Sequence, residues 1–171
     1  GVQTCALPIY NAFKRLFDNK PNKHILVLNY EFPPIGGGGS IISKDLAEEF
    51  ASRGYNIDVV TMHYKGLKKV EKQNGVTIYR VPCYRKRKEV CSTLEMLSFV
   101  IKAIPFILKL TKKNQYDVVH SHFIIPTSIL AYMVKKVRGL DYVITAHGSD
   151  VPGYNPHRFI REHKITRPLL K

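Results

Sequence analysis

Short apolar runs alternate along the chain with longer segments in which apolar residues recur every three or four positions. The runs are rich in β-branched residues and predict buried strands over 24–30, 55–63, 75–81, 116–122 and 141–147. The periodic segments predict amphipathic helices. They comprise a helix from its N-cap Ser40 to Gly54, a helix over 94–113 that is kinked or restarted near Pro105, and helices over 127–138 and 158–170.

Strands that alternate with helices are typical of βαβ units, which place parallel strands side by side. The pattern therefore predicts an α/β fold over residues 23–171: a Rossmann-like, three-layer α/β/α domain with a mostly parallel sheet. Ligands of such sheets bind beyond the carboxyl ends of the strands. The loops that follow the strands are thus the segments in which we expect the chemistry.

A run of four glycines, 36–39, lies between the first predicted strand and the first predicted helix. Glycines let a backbone approach an anion closely, and a helix N-terminus offers N–H groups and a positive dipole end. The loop therefore has the character of a phosphate site. It fails the dinucleotide fingerprint G-x-G-x-x-G, because isoleucine stands where the third glycine is required. A flexible loop with no ligand is the alternative.

Histidines stand at the ends of two predicted strands. His120 and His122 share one face of a strand, and we expect His120 to be packed and His122, nearer the tip, to be the better site candidate. His147 follows the last strand directly, where its imidazole is able to bond a phosphate or a sugar hydroxyl, or to titrate near neutral pH. Asp150 accepts bonds from hydroxyls or caps the following turn. A metal site would need all four side chains to converge.

The composition adds a strong positive charge: 27 Lys and Arg against 13 Asp and Glu, a formal net charge of +14. This favours phosphorylated ligands, nucleic acid or an anionic membrane surface as partners. Nucleic acid is disfavoured, because no aromatic platform or recognition motif accompanies the basic residues. The apolar stripe of the 94–113 segment, Leu97, Ile101, Ile104 and Leu108, either faces the core or dips into a membrane. The connection before it, PCYRKRKE, is expected to be exposed.

The first 22 residues are set apart from the predicted domain. Residues 1–9, GVQTCALPI, carry no charged residue and lack the basic start of a signal peptide. They resemble a translated sequencing adapter, so we interpret 1–22 as an artefact followed by a leader. The three cysteines have neither metal-ligand spacing nor an even number for disulfides, which favours a reduced, intracellular compartment.

Several motifs occur in an order that resembles the N-terminal domain of a family 4 glycosyltransferase of the GT-B fold. They are ILVLNYEFPP, IGGGG, DLAEEFASRGY, NIDVVT, YDVVHSHF and TAHGSDVPGYNP, followed by HK and RPLL near the end. The set covers residues 23–171, and HGSD after the fifth predicted strand is its most diagnostic member.

The resemblance implies a hexosyltransferase-type enzyme that moves a sugar from a nucleotide-activated donor to a cell-envelope, polysaccharide or lipid-linked acceptor, with retention and with no metal or other cofactor. This chain then corresponds to the acceptor-side domain, and the C-terminal nucleotide-sugar domain is absent, so the chain alone is expected to transfer no sugar. We expect a cytoplasmic protein, peripheral on the inner face of the membrane.

By position, Gly37 and Gly38 match the family's glycine pair and, with Gly39, are the predicted donor phosphate and sugar contacts. His147 matches the histidine that contacts the transferred sugar or its phosphate, and is the predicted catalytic residue. His122, Ser149 and Asp150 are the predicted acceptor or sugar contacts. Ile42 stands where members often carry a histidine, so the acceptor side departs from the family. The alternatives are a nucleotide-sugar epimerase of the same architecture and a non-catalytic sugar- or lipid-binding module.

Overall fold

A computed structural model of the chain describes residues 22–148 and 150–151. The predicted adapter, the predicted helix over 158–170 and Ser149 lie outside these described residues. In chain order the elements are β1 (His24–Leu28), α1 (Gly38–Ser52), β2 (Asn56–Met62), β3 (Val70–Gln73), β4 (Val76–Val81), α2 (Thr93–Lys113), β5 (Val118–His122), α3 (Thr127–Arg138) and β6 (Tyr142–Thr145).

The six strands form one sheet in the order β3-β4-β2-β1-β5-β6, and every neighbouring pair except β3 and β4 is parallel. The predicted mostly parallel α/β sheet is therefore confirmed. The hydrophobic pattern does not predict β3, a short and largely exposed edge strand. It pairs antiparallel with β4. The two residues between these strands, Asn74 and Gly75, both have a positive φ. Asn-Gly is the preferred pair for a two-residue hairpin turn, and it is the signal that was overlooked.

Helices cover both faces of the sheet, which explains why the strands are continuously apolar. In β1, Ile25 and Val27 pack in one core with Leu46 and Phe50 of α1. The intervening Leu26 and Leu28 point to the other face and pack against α2 and α3. Successive strand residues alternate between the faces, so a strand covered on both sides needs apolar residues throughout. The three-layer arrangement follows directly from these two cores.

Two helix starts differ in detail from the prediction. Gly37, not Ser40, is the N-cap of α1, and the Ser40 hydroxyl instead donates to the Gly37 carbonyl at 2.7 Å. The helix α2 starts at a capping box, in which Ser92 and Glu95 each accept a bond from the other's backbone N–H. The helix continues through Pro105 without a restart. Among the described helices, none has the length and apolarity needed to span a bilayer.

The strand order places β1 at the point where the topology changes direction. The chain passes from β1 to β2 on one side of it, and later returns to add β5 on the other side. Loops that leave the carboxyl ends of β1 and β5 consequently part from each other and open a crevice between them. The glycine run follows β1 and Phe123 follows β5, so both reach this crevice.

Candidate active site

A cavity of about 270 Å³ lies beyond the carboxyl ends of the strands. Loops after four different strands line it. The lining residues are Tyr30, Glu31, Gly37, Gly38, Gly39, Glu89, Val90, Cys91, Phe123 and His147. The structure therefore brings the predicted glycines and the predicted catalytic histidine to one cavity. It also adds Glu89, the last residue of the predicted PCYRKRKE connection, and the two residues after it, Val90 and Cys91.

His147 and His122 face each other at the edge of the crevice. The Nδ1 atom of His122 lies 3.0 Å from Nε2 of His147, and the two rings stack with centroids 5.2 Å apart. His147 is half-buried and lines the cavity, whereas His122 is only 1% exposed. His122 therefore contacts His147 from the protein interior and does not itself line the cavity. Its predicted contact with an acceptor or a sugar stays a prediction.

His120 continues the cluster into the sheet. Its ring stacks on His122 with centroids 4.2 Å apart, and its Nε2 atom lies 2.8 Å from the Thr145 hydroxyl of β6. This is the packed strand histidine that the sequence predicted. Burial, together with the electrostatic influence of the neighbouring His147, lowers the pKa of His120 to about 3.

The other two imidazoles are also held neutral. Burial and the neighbouring His120 and His147 lower the pKa of His122 well below its usual value. Burial lowers the pKa of His147 too, although the Asp150 carboxylate opposes the shift. Because both rings are neutral, the bond between them contains one proton. If His122 donates that proton, the Nδ1 atom of His147 carries a proton of its own and is able to donate it to a ligand.

Asp150 holds two loops together. One carboxylate oxygen accepts from the backbone N–H of Ile124 at 2.6 Å, and the other accepts from the N–H of His147 at 2.8 Å. The residue is 1% exposed. Asp150 therefore fixes the backbone of His147 relative to the loop after β5. Its predicted contact with the acceptor stays a prediction, and Ser149 lies outside the described residues.

The three predicted phosphate-binding glycines differ in their surroundings. A Cβ atom added at Gly37 or Gly38 would meet no atom within 4 Å. A Cβ atom at Gly39 would lie 2.6 Å from Cζ of Phe123 and 3.2 Å from Cγ of His147. Gly37 and Gly38 thus border open space that a ligand is able to occupy. Gly39 is required for another reason, because it lets the Phe123 and His147 rings pack against α1.

This difference yields a matched pair of variants. We expect Gly39→Ala to destabilise the fold by about 1–3 kcal/mol, since the new methyl group overlaps the Phe123 ring. Gly38→Ala adds the same methyl group to the same turn of helix without a clash, so we expect its stability to change by less than about 1 kcal/mol. Urea unfolding of both variants measures the difference. Equal stability would show that the Phe123 and His147 rings do not pack on Gly39.

An ion pair beneath the glycine loop was also missed by the sequence analysis. The side chain of Arg85 is fully buried and its Nη2 atom lies 3.3 Å from the Glu31 carboxylate. It also donates to the carbonyls of Arg87 and Lys88 at 3.0 and 2.9 Å. The prediction that the whole PCYRKRKE connection is exposed is wrong at this residue. Arg85 instead ties the connection to the loop after β1.

Phe123 is a further missed residue, although its place directly after HSH was a usable signal. Its backbone takes a left-handed conformation (φ 70°), and its N–H donates to the carbonyl of Thr145 at 2.9 Å. This conformation is uncommon for a bulky residue. It directs the ring between Tyr30, at a centroid distance of 5.0 Å, and His147, at 4.4 Å. Phe123 therefore forms one wall of the cavity.

Neither a thiol nucleophile nor a metal centre emerges in the described part of the chain. Cys91 lines the cavity, but burial raises its pKa to about 12, so its thiol stays protonated. Within residues 22–148 and 150–151, no group of three or more His, Cys, Asp or Glu side chains is arranged to hold a metal ion. The polar groups of the residues that line the cavity include an imidazole, carboxylates and a helix N-terminus.

Comparison with known proteins places this geometry in context. Residues 36–171 match the family model described as Glycosyltransferase Family 4. The chain is 30% identical over 129 residues to an uncharacterized glycosyltransferase of Methanocaldococcus jannaschii, covering 74% of this chain and 31% of that protein. It is 25% identical over 122 residues to the N-acetyl-alpha-D-glucosaminyl L-malate synthase of Bacillus anthracis, covering 70% of this chain and 30% of that protein.

A solved structure confirms the fold. The sucrose-phosphate synthase of Thermosynechococcus elongatus superimposes with a TM-score of 0.69 at 15% identity, over 87% of this chain and 40% of that one. At this identity the likeness concerns the architecture alone. The chain spans less than a third of the length of the curated relatives it matches.

Proposed function

The chain belongs to glycosyltransferase family 4, and on that premise we propose that it is the acceptor-side part of an enzyme that transfers a sugar from a nucleotide-activated donor to a glycan or lipid-linked acceptor. One observation carries the proposal. The N-terminus of α1 and the imidazole of His147 border the same cavity, and the two glycines between them face open space. An anion at the helix and a sugar at the histidine would thus be neighbours.

The start of α1 suits the diphosphate of a donor. No side chain caps this helix and no acidic residue occupies its first turn. The N–H of Ser40 already donates to the Gly37 carbonyl at 3.0 Å. The N–H groups of Gly38 and Gly39 and the positive end of the dipole therefore remain for an anion. When the bond to the sugar breaks, negative charge grows on the departing diphosphate. Preorganised N–H groups stabilise such charge without a metal ion.

His147 is placed to contact the transferred sugar. A neutral imidazole, held through Nε2 by His122 and through its backbone by Asp150, presents a fixed hydrogen-bonding edge to the cavity. Such a group stabilises charge that develops on a hydroxyl or phosphate oxygen while the glycosidic bond changes. We propose that transfer proceeds with retention at the anomeric carbon. Analysis of the product anomer by NMR tests this part separately, and an inverted product would contradict it.

The proposed role of His147 predicts a loss of rate. In an active protein that contains this chain together with a nucleotide-binding domain, we expect His147→Ala to lower kcat by about a hundredfold, a loss of about 2–4 kcal/mol in transition-state binding. The half-buried His63, bonded to the carbonyl of Leu67 on a loop outside the cavity lining, supplies the control variant His63→Ala. An unchanged kcat for His147→Ala would remove His147 from the catalytic machinery.

We further propose that the 171-residue chain transfers no sugar by itself. Its cavity offers one wall for the donor, and we assign the nucleotide to a second domain of the kind that the longer relatives have room for. The measurement is release of nucleoside diphosphate from nucleotide sugars by the purified chain. Turnover above the rate of the uncatalysed reaction would overturn this part of the proposal.

A further inference from the structure

The helix α2 exposes an apolar stripe on its outer side. Leu94, Leu97 and Ile101 are 75, 53 and 58% exposed. They follow one another at spacings of three and four residues, so they lie on one face of the helix. Pro105 continues the same face and is exposed as well. This is a contiguous apolar surface, and such surfaces mark interaction sites more often than single exposed residues do.

The sequence left open whether the apolar stripe of this helix faces the core or a membrane, and the structure shows which residues face the core. Its core face consists of Met96, Phe99, Ala103, Ile107 and Leu110, all buried. Leu97 and Ile101 therefore do not belong to the core, whereas Ile104 and Leu108 are half-buried. The core is complete without the outer stripe. More than half of each side chain in the outer stripe stays exposed, so the stripe contributes little to the packing of the described residues.

Basic residues surround the stripe. On α2 itself Lys102, Lys109 and Lys112 are exposed on or beside the same face. At its start, a second cavity of about 310 Å³ is lined by Tyr84, Lys86, Arg87, Val90, Ser92, Leu94 and Glu95. The one carboxylate there is already engaged, because Glu95 accepts from the backbone N–H groups of Lys86 and Ser92 at 2.5 and 2.6 Å.

We propose that this surface, the outer side of α2 together with the basic connection before it, docks on the face of an anionic lipid bilayer. A helix that carries an apolar stripe flanked by lysines lies in the plane of the interface, with the apolar side chains among the acyl chains and the cations at the headgroups. Charge complementarity favours this occupant over a second copy of the chain, since two surfaces of the same positive charge repel each other.

The docked orientation has a consequence for the active site. Val90 lines both the cavity at the glycine loop and the cavity at the start of α2. The proposed bilayer contact is therefore adjacent to the mouth of the site. Resting on the proposed function, this arrangement lets a lipid-linked acceptor reach the sugar while its lipid stays in the membrane. The docking itself requires no catalysis, and it is testable without it.

The test is co-sedimentation of the 171-residue chain with vesicles. One set contains phosphatidylcholine alone, and the other contains about one third phosphatidylglycerol. We expect binding to the anionic vesicles only, weakened by salt. The variant Leu94→Gln/Leu97→Gln/Ile101→Gln removes exposed side chains and leaves the core intact, and we expect its partition coefficient to fall about tenfold or more.

Two charge variants separate a specific surface from the net charge of the protein. Lys102→Gln/Lys109→Gln/Lys112→Gln removes three cations beside the stripe, and Lys65→Gln/Lys68→Gln/Lys72→Gln removes three exposed cations near β3. We expect the first to weaken binding severalfold more than the second. Equal effects, or no binding of the unmodified chain, would overturn the proposal. So would self-association of the unmodified chain that the leucine variant abolishes while vesicle binding is absent.

Discussion

We expect Asp150→Ala to lower the free energy of unfolding by about 2–5 kcal/mol, because the substitution leaves two backbone N–H groups without their acceptor. These groups belong to Ile124 and His147, on loops that leave different strands. No water has easy access, since Asp150 is 1% exposed. The loss should also loosen the position of His147, so an active protein carrying the variant is expected to lose kcat. Urea unfolding measures the first effect directly.

Two further variants calibrate this result. Asp150→Asn keeps one acceptor oxygen but sets an NH₂ group against the other N–H, so we expect a smaller loss than for alanine. Asp141→Ala removes a carboxylate whose side chain is 83% exposed and is paired with the exposed Lys135. Surface pairs of this kind contribute little, and a change of less than about 1 kcal/mol is expected. If the Asp150→Ala protein were as stable as the Asp141→Ala protein, Asp150 would not hold the two loops together.

Acid is expected to destabilise this protein through the histidine cluster, His120, His122 and His147, before the carboxylates of Asp58 and Glu95 are protonated. The pKa of His120 is about 3 in the folded chain, against about 6.5 for a histidine in an unfolded chain. Below pH 6.5 His120 binds a proton in the unfolded state but not in the folded state. The free energy of unfolding therefore falls as the pH falls. Between pH 7 and pH 5 this linkage costs about 2 kcal/mol for His120 alone. The lowered pKa values of His122 and His147 act in the same direction.

The window from pH 7 to pH 5 separates this effect from the titration of two buried carboxylates, Asp58 and Glu95. Burial alone would raise the pKa of Asp58, but its hydrogen bonds with His24 and Tyr116 outweigh burial and lower it. For Glu95, burial is likewise outweighed by the N–H groups of Ser92 and Lys86. Both carboxylates therefore stay ionised in this window, and their contribution is lost only in stronger acid.

The variant His120→Gln tests the assignment. Its amide keeps a hydrogen-bonding group near the Thr145 hydroxyl but does not titrate, so stability measured by urea unfolding should depend less steeply on pH between 7 and 5. His63→Gln, in a loop outside the cluster, serves as the matched control for the loss of one imidazole. A slope unchanged by His120→Gln would mean that this imidazole binds its proton equally well in the folded and unfolded states, which would contradict the assignment.

The local hydrophobic pattern was enough to predict most of the described elements. The alternation of apolar runs and periodic segments located five of the six strands and the helices α1, α2 and α3, because each period is a property of neighbouring residues. It failed at β3, whose residues VEKQ are mostly polar and exposed. An edge strand is held by pairing with its neighbour, and pairing leaves no apolar signature.

For the candidate site, too, the sequence indicated individual residues but not the contacts between them. The run of glycines and the strand-end histidines were visible because each stands next to a recognisable strand or helix. Their relation was not visible, since His122 and His147 are 25 positions apart and meet only because β5 and β6 are neighbours in the sheet. The pattern likewise predicted that α2 has an apolar stripe but not which stripe faces the core. Which distant residues touch depends on strand order and on the packing of helices across the sheet, and these arise only when the whole chain is folded.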